Sequence, residues 1–120
     1  MSVNLLAVSF DCADAARLAA FWGQALERPV DAGGTEEFAA IGLGGPGASR
    51  PCWMFLKVPE GKTAKNRVHP DLAAASLEAE VKRLVDLGAT KQAEHDQDGV
   101  RWVTLLDPEG NEFDVIADAT

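Results

Sequence analysis

The sequence predicts an α+β fold of two similar β-α-β-β-β units, their strands forming one cupped mixed sheet with the helices on its outer face. Three observations predict it. Two strand-like stretches each run into an amphipathic helix, short β-like segments follow each helix, and this order recurs after roughly 60 residues. The 120 residues, 47% of them hydrophobic, suffice for one core and are too few for two ordinary domains. The expectation is therefore a single domain over 1–120, with a first unit at about 4–58, a connection at 59–66 and a second unit at about 67–116. A half of this size makes one sheet face and one helix, too little to stand alone, so the two halves should share a sheet.

In the first half, residues 5–11 alternate Leu6, Val8 and Phe10 with Leu5, Ala7, Ser9 and Asp11, which gives a strand with one apolar and one mixed face. Asp14 is a good helix starter, and Leu18, Phe21, Trp22, Ala25 and Leu26 follow at helical spacing until Pro29 forbids continuation. Short β-like pieces at 37–42 and 52–58 flank a glycine-rich loop at 42–51. Residues 59–66 have little apolar content and read as the connection between halves.

The second half repeats the order. A short strand over 68–72 precedes a helix whose stripe is Leu77, Val81, Leu84 and Val85, closed by Gly88, with Glu78 and Lys82 spaced as an i,i+4 pair. A β-like piece at 90–93, a polar turn at 95–99 and a strand at 100–106 come next. The stretch 107–111, with proline second and glycine fourth, predicts a sharp turn into a last strand at 112–116.

Composition narrows function. The formal charge of −8, from 19 acids against 11 bases, repels phosphate backbones and anionic lipid, so neither nucleic acid nor a membrane surface is the expected partner. A small molecule fits better. No apolar run reaches the roughly 18 residues of a membrane span, and the start lacks the basic character of a signal peptide, so a soluble cytoplasmic protein is expected. Cys12 and Cys52 lie 40 positions apart without C-x-x-C spacing and read as small apolar residues in a reducing compartment. No nucleophile with a neighbouring base, phosphate-cradling glycine loop or nucleophile elbow is present, which removes hydrolase and nucleotide-dependent readings.

The residues that could carry chemistry cluster in the second half. His69 and Asp71 share a strand face opposite Val68, Pro70 and Leu72, and Glu112 and Asp114 share a face opposite Phe113 and Val115. One imidazole with carboxylates suits a divalent metal, and it equally suits acid-base work by His69 with Asp71. Trp53 and Trp102 fall in corresponding late strands of the two halves, where they could stack on a flat ligand. With Ser9, Met54, Leu56 and Glu112 they make the expected ligand-binding set. His95 reads as plain turn surface, and Lys62, Lys65 and Arg67 as a solvated basic connection.

Three stretches in order, 14–22 (DAARLAAFW), 65–72 (KNRVHPDL) and 107–113 (DPEGNEF), give the chain its resemblance to the vicinal oxygen chelate superfamily. Its glyoxalase-like and bleomycin-resistance-type domains are the most similar members. The resemblance implies paired β-α-β-β-β modules around a cupped sheet, a homodimer, and a metal held by one residue from the first and last strands of each module. Carried onto this sequence, those positions are Ala7, Leu56, His69 and Asp114. Alanine and leucine have no lone pair to give, so only His69 and Asp114 remain as metal ligands unless Asp71, Glu112 or a bound molecule completes the set. Three readings stay open: a cup that binds a small organic molecule without a complete metal site; a metal-dependent lyase, isomerase or dioxygenase, or an acid-base enzyme using His69; and an interaction module working through its surface.

Overall fold

The computed structural model describes residues 2–118, which form two compact units meeting between Gly61 and Lys62. In the first unit the order is β1 (Ala7–Cys12), α1 (Ala15–Ala25), β2 (Phe38–Ile41) and β3 (Cys52–Lys57). The sheet order is β1-β3-β2, with β1 parallel and β2 antiparallel to β3. In the second unit β4 (Asp71–Ala74), α2 (Leu77–Leu87), β5 (Thr90–Gln97), β6 (Val100–Leu106) and β7 (Glu112–Ala117) form a sheet of order β4-β7-β6-β5. Again the first strand runs parallel to the last, and the other neighbours are antiparallel. This is the predicted α+β repeat. No helix among the described residues is long and apolar enough to cross a membrane.

Local chemistry explains the helices. The Asp14 side chain accepts from the Arg17 N–H, satisfying one of the unpaired donors at the start of α1. After the cap residue Leu26, Glu27 takes the left-handed conformation (φ 54°) and Pro29 prevents resumption. α2 ends on Gly88 at φ 127°, a conformation only glycine adopts without strain, and Ala89 N–H then closes on Leu84 O. The predicted Glu78–Lys82 pair does not form. Lys82 instead binds Asp86, and Glu78 takes Arg101 from β6.

Period-two alternation decides what each sheet buries. In the first unit Phe10, Trp53, Phe55, Ala39 and Ile41 share the face that meets Leu18 and Trp22 of α1. Phe10, Trp22, Trp53 and Phe55 make an aromatic cluster with ring centroids 5.1–5.6 Å apart. In the second unit Val103, Leu105, Phe113 and Val115 fill the corresponding face beneath Leu77 and Leu84. Full burial of each such side chain contributes about 1.5–3 kcal/mol, which is why these positions are constrained to apolar residues.

Four sequence expectations are corrected. The first unit has three strands rather than four: residues 30–35, rich in glycine, border β2 through isolated hydrogen bonds (Asp31 N–H to Ala40 O, Thr35 N–H to Phe38 O) and form no ladder. β4 begins at Asp71 instead of at 68, because Pro70 has no N–H for a ladder. β5 runs on to Gln97, so the turn is only Asp98-Gly99, both at positive φ, as a two-residue hairpin requires. Finally, Trp53 and Trp102 are not in equivalent strands. β3 pairs in parallel with its unit's first strand, as β7 does, whereas Trp102 lies on β6, the counterpart of β2.

Candidate functional site

The cross-strand register of the second unit gathers most of the chemistry-bearing residues on the sheet face turned away from α2. Asp71 sits opposite Asp114, Asp114 opposite Thr104, and His95 opposite Trp102. Paired residues point to the same face, and Asp114, Thr104 and Trp102 occupy alternate positions along their strands, so all five belong to one surface. The helix-facing residues, Val103, Leu105, Phe113 and Val115, interleave with them on the other side of the sheet.

His69 reaches this surface from the segment just before β4. Its Nδ1 lies 3.2 Å from Asp71 Oδ1 and 3.8 Å from Asp114 Oδ2, and is shielded from solvent without an aligned hydrogen bond. The second oxygen of Asp114 accepts the Thr104 hydroxyl at 2.6 Å. Thr104 Oγ1 in turn lies 3.4 Å from His95 Nε2, and the His95 ring stacks on Trp102 with centroids 4.8 Å apart and planes 16° from parallel. The Asp114 side chain is 16% exposed, against 52% for Asp71, so the cluster runs from a shielded floor to an open rim.

His95 and Thr104 are the residues that sequence reading missed. His95 looked like turn surface because β5 is polar throughout and only Ala93 of it is even half-buried. The signal that could have found it is Asp98-Gly99, the dipeptide of a two-residue hairpin turn, which places Gln97 and Val100 opposite each other and His95 opposite Trp102.

The other predicted residues fall elsewhere. Glu112 shares the open face by register but holds the chain connection: Oε2 pairs with Lys62 at 3.2 Å and Oε1 accepts the Asn66 N–H at 3.0 Å. Burial opposes its ionisation, yet the Asn66 and own-backbone N–H groups and the Lys62 ammonium outweigh that and hold its pKa below the ordinary 4.5. Lys62 is thus a fastening, not part of a solvated basic patch. In the first unit Ser9, Met54 and Leu56 lie on the face away from α1 with Ala7, whereas Trp53 points the other way into the aromatic cluster. Adjacent strand residues cannot line one surface, so the expected Trp53, Met54 and Leu56 lining divides.

The sequence profile of the glyoxalase-like domain matches residues 7–116. The chain belongs to the glyoxalase-like domain family. No curated protein matches it. Solved structures of similar fold include a glyoxalase/bleomycin resistance protein/dioxygenase family enzyme from Burkholderia phytofirmans, 18% identical with a TM-score of 0.74 over 96% of this chain and 98% of that one. The fosfomycin resistance protein FosX from Listeria monocytogenes is 14% identical, TM-score 0.72, over 98% and 95% of the two chains. Lactoylglutathione lyase from Agrobacterium tumefaciens is 13% identical, TM-score 0.64, over 98% and 96%. At these identities the likeness establishes the glyoxalase-like fold alone.

Whether this glyoxalase-like domain can hold the metal its fold implies depends on donors. One ligand atom each from His69, Asp71 and Asp114 lies within 4.8 Å of the others, all in the second unit. An imidazole nitrogen and two carboxylate oxygens suit a borderline or hard divalent ion. Ala7 and Leu56 supply nothing, so the donor set is a three-residue one in which Asp71 stands beside His69 and Asp114. The same trio without an ion is a histidine between two carboxylates, a pair-forming arrangement for proton transfer.

Proposed function

We propose that the chain binds a small, planar organic molecule on the open face of the second unit's sheet. The molecule's ring would lie against the His95–Trp102 stack, and its hydroxyl or amine groups would donate to Asp114 and Asp71. The observation that carries this reading is the continuity of that face: a flat aromatic wall at Trp102 runs directly into the Thr104, Asp114 and His69 cluster. Carboxylate acceptors select donor-bearing ligands, because an unpaired shielded acceptor costs about 1–3 kcal/mol. The test is an amide-resolved NMR titration with aminophenol and catechol probes. Shifts on residues 93–95, 102–104 and 114, lost in Asp114→Asn, support the reading, and shifts that avoid this face contradict it.

A second reading is favoured by one specific observation, the shielded and unbonded His69 Nδ1 aimed between two carboxylates. A divalent metal would be held by His69, Asp71 and Asp114, and when bound it would supply Lewis-acid polarisation of an oxygen on the ligand. Thr104 would fix the Asp114 carboxylate through its hydroxyl, and Trp102 would keep water from one side. Manganese(II) titration reads this directly: paramagnetic broadening confined to residues 69–71 and 114, abolished by His69→Ala, is the expected result. Broadening spread over the acidic surface would refute it. The FosX variant from Listeria monocytogenes with manganese(II) and a dihydroxypropylphosphonic acid bound, 12% identical with a TM-score of 0.71, is a protein of the same fold that holds such a pair.

A further inference from the structure

We infer that the first unit carries a separate pocket for a small organic carboxylate, framed by the loops 28–34 and 42–47 over the edge strand β2. The pocket is a half-open concavity of about 530 Å³, within the range of small-molecule sites. Its walls are apolar: Pro29, Val30, Phe38, Ala40 and Leu43 line it, and Val30, Phe38 and Leu43 are large hydrophobic side chains left exposed. Isolated exposed side chains need no explanation, but three converging on one concavity do.

The frame is built rather than incidental. The Asp31 carboxylate accepts three successive backbone N–H groups, from Gly42 at 3.0 Å, Leu43 at 2.8 Å and Gly44 at 3.3 Å, which pins one loop to the other. These contacts occupy both of its oxygens and hold the carboxylate on the loop backbone. Arg28, which lines the same pocket, donates from Nη2 to Ser49 Oγ and has no carboxylate partner among the described residues. In a chain of net charge −8, a half-buried guanidinium without a carboxylate is conspicuous. Gly42 lies against it: the residue is at φ 80°, a conformation that favours glycine, and a β-carbon there would push Arg28 Nη2 aside. An apolar cavity whose wall carries a planar cation outside any ion pair among the described residues selects a carboxylate on an aromatic or branched apolar body, since guanidinium and carboxylate match in geometry.

This inference is independent of the proposed function, because every residue it uses lies in the first unit. The test is an NMR titration of the labelled protein with 4-phenylbutyrate and, separately, with its uncharged primary amide. The acid should shift amides of residues 30–34 and 42–47 and bind at least about tenfold more tightly than the amide, the size of one charge-assisted contact. Arg28→Gln should erase that preference while leaving the amide's weak binding unchanged. Equal binding of acid and amide to the native protein overturns the inference without recourse to any variant. So does absence of binding at millimolar concentration, or shifts confined to the second unit.

Discussion

The two units share a topology and divide the labour differently. Each lays its first strand parallel to its last and packs one helix on one face. Behind α1 the filling is aromatic, with Trp22, Trp53 and Phe55 each against Phe10 and the two tryptophans against each other, whereas behind α2 it is mostly aliphatic. The opposite faces diverge further. The first unit presents Ala7, Ser9, Met54 and Leu56 where the second presents Asp71, Asp114, Thr104 and Trp102. Alternation explains how this is possible, since helix-facing positions carry the stability and leave the other half of each strand free to specialise.

If that division is right, changes on helix-facing positions should unfold the protein and changes on open positions should not. The largest effect is expected from Trp22→Ala, which empties a fully buried site in the aromatic cluster and should cost about 3–5 kcal/mol by denaturant unfolding. Next comes Glu112→Gln, an open-face position that breaks the rule because it ties down the connection. It should cost about 1–3 kcal/mol at neutral pH. The sign follows from the lowered pKa: the native carboxylate's contribution is present above the ordinary 4.5 and is lost as pH falls through the folded value, so Glu112→Gln should flatten the acid side of the stability profile. Asp14→Ala, which removes the cap of α1, should cost about 1 kcal/mol. The smallest change is expected from His69→Ala, within about 0.5 kcal/mol of native stability, because its shielded Nδ1 has no hydrogen bond to lose. A loss as large as that of Trp22→Ala would make His69 a structural residue and break the comparison.

The same contrast explains what the sequence disclosed. Core strands and helices were legible because apolar periodicity marks them: Leu18, Phe21 and Trp22, or Val103 and Leu105, cannot be arranged otherwise. His69, Asp71 and Asp114 were legible as a set because the two-residue spacing of His69 and Asp71 survives in the extended segment leading into β4, and β4 pairs with β7 at Asp71 and Asp114. β5 was half-hidden because an edge strand whose outward and inward residues are both polar has no periodic signal, so His95 passed for a turn residue. The division of Trp53 from Met54 and Leu56 was legible in principle, since neighbours in a strand always face apart. The unit 1 pocket was not, because it depends on Asp31 folding one loop onto another, which no spacing announces.

The central claim is that the open face of the second unit's sheet is the ligand surface, and chemical-shift mapping with planar hydroxy- and amino-aromatic probes tests it most directly. The account predicts perturbations that cluster at His95, Trp102, Thr104 and Asp114 and vanish in Asp114→Asn while the aromatic core of the first unit stays silent. Perturbations that persist in Asp114→Asn, or that fall on the helix side of either sheet, would contradict it.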